Sequence, residues 1–196
     1  MRDMKNRKII LASTSPRRKE LMERLGLKFE IVRSDYEEDM SLKMHPMELA
    51  KFLSKCKTEA VAKKYKNHII IAADTFVALK YELLGKPHTE IEARKMLEKI
   101  SGKVVSIITG YTIVDSLINK KISKAVEAKV YIKKLTAEEI ANYIKTKEPL
   151  DKAGAFAVQG IGSVIIKKIE GDFFGIVGLP LYDLAESLKK FGIRII

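Results

Sequence analysis

Ile9-Ile10-Leu11-Ala12-Ser13-Thr14-Ser15-Pro16-Arg17-Arg18 decides the architecture: a short apolar run, a hydroxyl cluster, a proline and two arginines. Ile9 to Ala12 is long enough for one buried strand and too short for a helix. Ser15 followed by Pro16 has the chemistry of an N-cap with proline at the first helical position. Leu21 and Leu25 then recur at helical spacing, and Gly26 marks the stop. The strand therefore hands the chain to a helix N-terminus carrying Arg17 and Arg18. Unpaired backbone N–H groups, the positive end of the helix dipole and two guanidinium groups converge there. Two arginines in a first turn oppose the dipole, at about 0.3–1 kcal/mol each when exposed, and a bound anion offsets that cost. Two readings are open on this stretch alone: a phosphate site, or an ordinary capped helix with solvated arginines.

The 196 residues suffice for one large domain or two small lobes, and 46% apolar residues are enough for a real core. The net charge of +12 favours anionic partners, although the lysines are scattered and equally fit a solubility charge. Cys56 is the single cysteine, which excludes an intrachain disulfide and fits a reducing cytoplasm. It lies on the apolar stripe of a helix and reads as core. His45, His68 and His88 have no metal-ligand spacing, so any metal must use carboxylates, which points to magnesium or manganese. No apolar run approaches the ~18 residues of a membrane span. The basic start followed by four apolar residues is not a signal peptide.

Working outward, residues 29–32 alternate as a second strand, and the acidic patch Asp35, Glu37, Glu38, Asp39 follows. Pro46 opens a long helix with Leu49, Phe52, Leu53, Cys56, Ala60 and Val61 inward, holding to about Tyr65, with Lys57 near the stripe's edge. Ile69-Ile70-Ile71-Ala72-Ala73 reads as a central strand covered on both faces, with Asp74 and Thr75 at its exit. Ligands of open sheets bind beyond strand carboxyl ends, so Asp74 is a functional candidate, against the plainer reading of a turn-capping carboxylate. Residues 78–84 suggest a hairpin closing on Gly85-Lys86-Pro87, which lacks the spacing of a nucleotide-binding P-loop. Thr89-x-x-Glu92 and Thr136-x-x-Glu139 are capping boxes, predicting helices to Ile100 and Ile144. Between them lie two β segments, 104–114 and 126–132, joined by a polar turn at 115–124. Glu148-Pro149 ends the second helix. Gly154, Gly160 and Gly162 imply tight backbone and close approach of something. Residues 163–169 read as a strand, Pro180 starts a last helix ending at Gly192, and 193–196 suggest a final strand.

The motifs taken together resemble the Maf family of nucleoside triphosphate pyrophosphatases. The resemblance rests on Leu11-Ala-Ser-Thr-Ser-Pro-Arg-Arg18, Ala73-Asp74-Thr75, Gly85-Lys86-Pro87, Ser101-Gly102 with Thr109-Gly110, Glu148-Pro-Leu-Asp-Lys-Ala-Gly154, Gln159-Gly160-x-Gly162 and Val177-Gly-Leu-Pro180. Each is modest alone; in this order they are specific. The resemblance implies an α/β fold like that of inosine triphosphatases: a long mixed sheet with flanking helices, one 196-residue domain of two lobes around a central cleft, the second lobe beginning in the 80s. It implies cleavage of a nucleoside triphosphate between the α and β phosphates, with a divalent metal, in a cytoplasmic protein expected to be a homodimer.

Carried over by position, Asp74 matches the family's catalytic carboxylate and Glu38, beside Glu37, the acidic residue after the second strand. These two are the expected metal ligands. Ser13, Arg17, Arg18, Lys57 and Lys86 match phosphate-binding positions. Arg17, Thr75 and Gln159 resemble the subgroup acting on thymidine and uridine triphosphates. A histidine many members carry between Ser101-Gly102 and Thr109-Gly110 is replaced here by Val104 or Val105. That departure keeps 7-methyl-GTP or another modified nucleotide as an alternative substrate. From a different class, a non-catalytic nucleic-acid-binding or septum-regulating protein is the other alternative. The aromatics form no stacking motif and the basic residues are unclustered, so no stable nucleic-acid partner is expected.

Overall fold

The computed structural model describes residues 7–37, 42 and 44–196. Its strands are β1 (Lys8–Leu11), β2 (Phe29–Ile31), β3 (His68–Leu79), β4 (Glu82–Leu84), β5 (Val104–Asp115), β6 (Lys120–Ile132) and β7 (Ile166–Glu170). Its helices are α1 (Pro16–Arg24), α2 (Pro46–Ala62), α3 (Glu90–Ile100), α4 (Ala137–Lys145), α5 (Phe173–Val177) and α6 (Leu181–Lys189), with short 3-10 turns between α4 and β7. The strands form one seven-stranded mixed sheet in the order β2-β1-β3-β5-β6-β7, with β4 paired to β3. β1 runs parallel to both β2 and β3, with Ile10 opposite Glu30 on one side and Ile70 on the other. β3–β4 and β6–β7 are antiparallel.

Chain contacts divide the molecule into two units. The first comprises Met1–Thr75, Thr109–Val126 and Gly178–Ile196, and the second Phe76–Ile108 and Glu127–Val177. In the first unit, Ile10, Ala12, Val61, Ile70 and Ala72 pack as one buried cluster. In the second, Leu97, Ile100, Val105, Val130, Ile144 and Phe156 belong to a larger buried core. Both capping boxes form. Thr89 Oγ1 accepts the Glu92 N–H at 3.2 Å and Thr136 Oγ1 that of Glu139 at 3.1 Å, with each glutamate returning to its threonine's N–H.

Four sequence expectations are corrected. β3 does not stop at Ala73 but continues to Leu79, because Thr75, Phe76 and Val77 are themselves strand formers and Val77 to Leu79 pair with β4. Asp74 is thus inside a strand. β6 begins at Lys120, so the turn after β5 is shorter than its polar composition indicates. Residues 161–165 are a 3-10 turn before β7, and α5 escaped notice because five residues show too little periodicity. Residues 193–196 follow α6 without forming a strand.

Candidate active site

The first unit assembles its polar centre where the parallel pairing of β1 with β3 runs out. The Ala12 N–H donates to Ile71 O at 2.7 Å, the last such bond before the chain leaves β1. Ser13, Thr14 and Ser15 follow, and α1 starts at Pro16. Ser15 occupies the N-cap position in extended backbone but makes no side-chain capping bond, and the first turn has no acidic residue. Anion-attracting N–H groups are therefore not consumed by a cap. Three residues beyond Ile71 on β3 stands Asp74, so the carboxylate lies past the carboxyl end of β1 even though its own strand continues. This is the position that open parallel sheets reserve for ligands.

Asp74 is 7% exposed and engaged at both oxygens. Its Oδ2 pairs with the Lys57 ammonium of α2 at 2.6 Å, and its Oδ1 accepts the Thr75 N–H at 3.0 Å. Lys57 is carried inward by the helix whose Leu49, Ala50 and Leu53 are fully buried. Next to this pair, the Arg18 guanidinium binds three different segments. Nε donates to Gly178 O at 3.0 Å, one Nη to Ser13 Oγ at 3.3 Å and the other to Thr75 Oγ1 at 3.1 Å. Thr75 Oγ1 and Thr109 Oγ1 lie 2.8 Å apart. Ser13 Oγ also accepts the Ser15 N–H at 3.3 Å. One planar fork thus fixes the start of α1, the middle of β3 and the approach to α6. Arg17, one residue earlier, is exposed.

The structure therefore brings Ser13, Arg18 and Thr75 into one hydrogen-bonded chain and Lys57 onto Asp74. Glu38 lies outside the described residues. Lys86 and Gln159 belong to the second unit, and both are exposed. The Lys86 segment is tied down by its neighbour: Gly85 O accepts the Gly154 N–H at 3.1 Å. Asp151 is held below the usual carboxylate range by Lys152 first and, more weakly, by Lys86. Gln159 sits in a turn, and no described residue takes its side-chain amide.

Sequence reasoning assigned no role to Thr109, Gly178, Tyr143 or Glu148. Thr109, Gly178 and Glu148 lie inside motifs that carried the family resemblance, which was the available signal. What it lacked was the partner, since Arg18 and Gly178 are 160 residues apart.

A family model described as Maf-like protein matches residues 8–191. The chain belongs to the Maf family. Among this Maf chain's relatives, a protein of Methanococcoides burtonii named dTTP/UTP pyrophosphatase is 50% identical over 190 residues, covering 96% of this chain and 97% of that one. A protein of the same name from Methanosarcina barkeri is 49% identical over 190 residues, covering 96% of each. Another, from Thermoanaerobacter sp., is 49% identical over 191 residues, covering 96% of this chain and all of the other. Among solved structures, the Maf chain is similar to the Staphylococcus aureus Ham1 protein at a TM-score of 0.46 and 14% identity, over 64% of this chain and 72% of that one. No helix among the described residues is long and apolar enough to cross a membrane.

Proposed function

We propose that this chain hydrolyses dTTP and UTP to the nucleoside monophosphate and pyrophosphate. The observation that carries the reading is Asp74, a buried carboxylate beyond the end of β1, paired with Lys57 and adjoining the uncapped N-terminus of α1. Relatives at about half identity bearing the name dTTP/UTP pyrophosphatase support it.

Hydrolysis joins a water oxygen to the α-phosphorus and breaks the α–β anhydride. Asp74 is the carboxylate suited to receive the water proton. Lys57 orients that carboxylate through its 2.6 Å contact. Arg17 and the N-terminal backbone of α1 bind phosphate oxygens, and Lys86 is a further point charge for the departing pyrophosphate. Arg18 holds Ser13 and Thr75 in place for the same substrate. Gln159 offers one donor and one acceptor, matching the O4 and N3–H of uracil and thymine. The two bases differ by one methyl, which a pocket rejects only weakly, whereas mismatched hydrogen bonds cost up to ~10⁴-fold. Both pyrimidines are therefore substrates.

A divalent cation, magnesium or manganese, belongs to the same proposal. Asp74 fits it: two hydrogen bonds leave acceptor capacity on its two oxygens, and oxygen is the ligand such ions prefer. Glu38 is the proposed second ligand. When bound, the ion neutralises phosphate charge and polarises the phosphoryl oxygens. We also assign the chain to the cytoplasm as a homodimer, which sedimentation at micromolar concentration tests.

The direct test is a panel of dTTP, UTP, CTP, ATP, GTP, ITP and 7-methyl-GTP with magnesium, with pyrophosphate and phosphate assayed separately. Pyrophosphate from dTTP and UTP is the expected result. Pyrophosphate chiefly from a modified purine would overturn the base assignment, and phosphate alone would overturn the scissile bond.

A further inference from the structure

Read from sequence, Glu148 is only the residue before a helix-ending proline. In the structure it is the centre of a hydrogen-bonded knot within the second unit. Its Oε1 accepts the Tyr143 hydroxyl at 2.7 Å and the Gly162 N–H at 2.8 Å, and its Oε2 accepts the Ile161 N–H at 2.9 Å. Tyr143 Oη in turn accepts the Ala157 N–H at 3.1 Å. The turn 157–162 is therefore fastened at both ends to one carboxylate and one phenol, with the exposed Gln159 between the fastenings.

Two glycines show how close this seating is. A Cβ on Gly160 would stand 2.0 Å from Glu148 Oε2, and one on Gly162 would stand 2.3 Å from Tyr143 Oη. Only backbone without a side chain can lie there. The clamp itself is braced from below. Glu148 N–H donates to Thr146 Oγ1 at 3.2 Å, and Thr146 Oγ1 donates to Tyr143 O at 2.6 Å. Lys147 adopts a left-handed φ of 63° at the helix end, turning Glu148 back toward the tyrosine of α4. Burial pushes the Glu148 carboxyl up, but the Tyr143 hydroxyl, the Gly162 and Ile161 N–H groups and the Lys152 charge outweigh it and hold it below the usual range. Burial, then Glu148 itself, pushes the Tyr143 hydroxyl up, so it remains a donor.

A glutamine amide can tell uracil from cytosine only if it cannot turn over, because the flipped amide matches cytosine. Where that amide meets the base depends first on the backbone that carries it. We propose that Glu148, through Tyr143 and the N–H groups of Ile161 and Gly162, is the positioning residue for base recognition, setting the direction in which Gln159 presents its amide to the pyrimidine. This rests on the reading of Gln159 given above and adds the element that makes that reading selective. Ordinary helix termination explains neither why both carboxylate oxygens serve the same glycine turn nor why that turn carries Gln159.

The test is kcat/KM for UTP and CTP in the wild type, Gln159→Ala, Glu148→Gln and the double variant. A glutamine at 148 presents an NH2 where three donors arrive, so at least one of them loses its acceptor. Glu148→Gln is expected to lower the UTP:CTP ratio by about 10- to 100-fold, more through KM for UTP than through kcat. Adding it to Gln159→Ala is expected to change the ratio by less than about threefold, the signature of one residue acting through the other. Equal losses in both backgrounds, or a wild-type ratio in Glu148→Gln, would overturn the proposal. A wild-type ratio in Gln159→Ala alone would instead remove the base-reading role on which the proposal stands, and the two failures are told apart by which single variant is silent. Hydrogen exchange supplies a readout independent of turnover. Protection of the Ile161 and Gly162 amides should fall at least about tenfold in Glu148→Gln, and unchanged protection would also overturn the positioning role. If Glu148→Gln does not fold, Tyr143→Phe keeps the carboxylate and removes one fastening; a wild-type UTP:CTP ratio there counts against the proposal equally.

Discussion

Arg17 and Arg18 are adjacent in sequence and opposite in circumstance, and the pair shows what one residue's surroundings decide. Arg17 is exposed in the first turn of α1, where it opposes the dipole. Replacing it with alanine should raise KM for dTTP while leaving thermal stability within about 0.5 kcal/mol of wild type. Arg18→Lys should act chiefly on stability, with KM rising as well because Ser13 and Thr75 lose their anchor. An ammonium cannot span Gly178 O, Ser13 Oγ and Thr75 Oγ1 together, so stability should fall by about 1–3 kcal/mol as hydrogen bonds are lost. Denaturant titration of the two variants checks the stability statements, and steady-state kinetics with dTTP checks KM. Asp74→Asn keeps the Thr75 contact and removes the proposed base, so kcat should fall about 10²- to 10⁴-fold with little change in KM. At this scale the sequence named candidate residues but not their partners. Ser13, Arg18 and Thr75 were each legible, yet nothing local indicates that one guanidinium links them to Gly178. The contact is made by folding and has no periodicity to read.

Elements were most legible where a local rule is strong. Both capping boxes, the strand of β1 and the long helix opened by Pro46 are specified within a few residues of themselves. Thr136→Ala should cost about 1 kcal/mol through loss of the N-cap, measurable as a lowered unfolding midpoint. The pH dependence of α4 follows from Glu139. Its carboxyl is held below the usual value of 4.5, first by the Lys133 ammonium and then by the Thr136 N–H. A depressed carboxyl stabilises the fold fully above its unfolded value and loses that contribution as pH falls through the folded one. The difference in melting temperature between wild type and Glu139→Gln should therefore be constant above about pH 5 and close as the pH falls below 4.5. Elements were misread where the pattern is shared between states. Asp74 and Thr75 look like a strand exit because a carboxylate and a hydroxyl interrupt an apolar run. The strand passes through them because β4 pairs with the residues beyond. The 3-10 turn at 161–165 is set by the Glu148 carboxylate rather than by its own composition.

For the whole molecule, the net charge of +12 and a polyanionic substrate make binding electrostatic in part. KM for dTTP should rise several-fold between about 50 and about 500 mM KCl, with kcat changing less, because screening acts on encounter more than on buried contacts. An unchanged KM would show that the scattered lysines serve solubility only. The fold class came from the family resemblance, which implies the long mixed sheet with flanking helices that the strands form. Two lobes were expected from the resemblance, but their exact boundaries were not legible, since three of the four fall inside β3, β5 and β6, where no change in composition marks them. In the proposed reaction water attacks the α-phosphorus. Hydrolysis of dTTP in oxygen-18 water, followed by mass spectrometry of both products, tests it most directly. Attack at the α-phosphorus leaves a single heavy oxygen in thymidine monophosphate and none in pyrophosphate. Label in pyrophosphate, or in free phosphate with thymidine diphosphate as the other product, would contradict it.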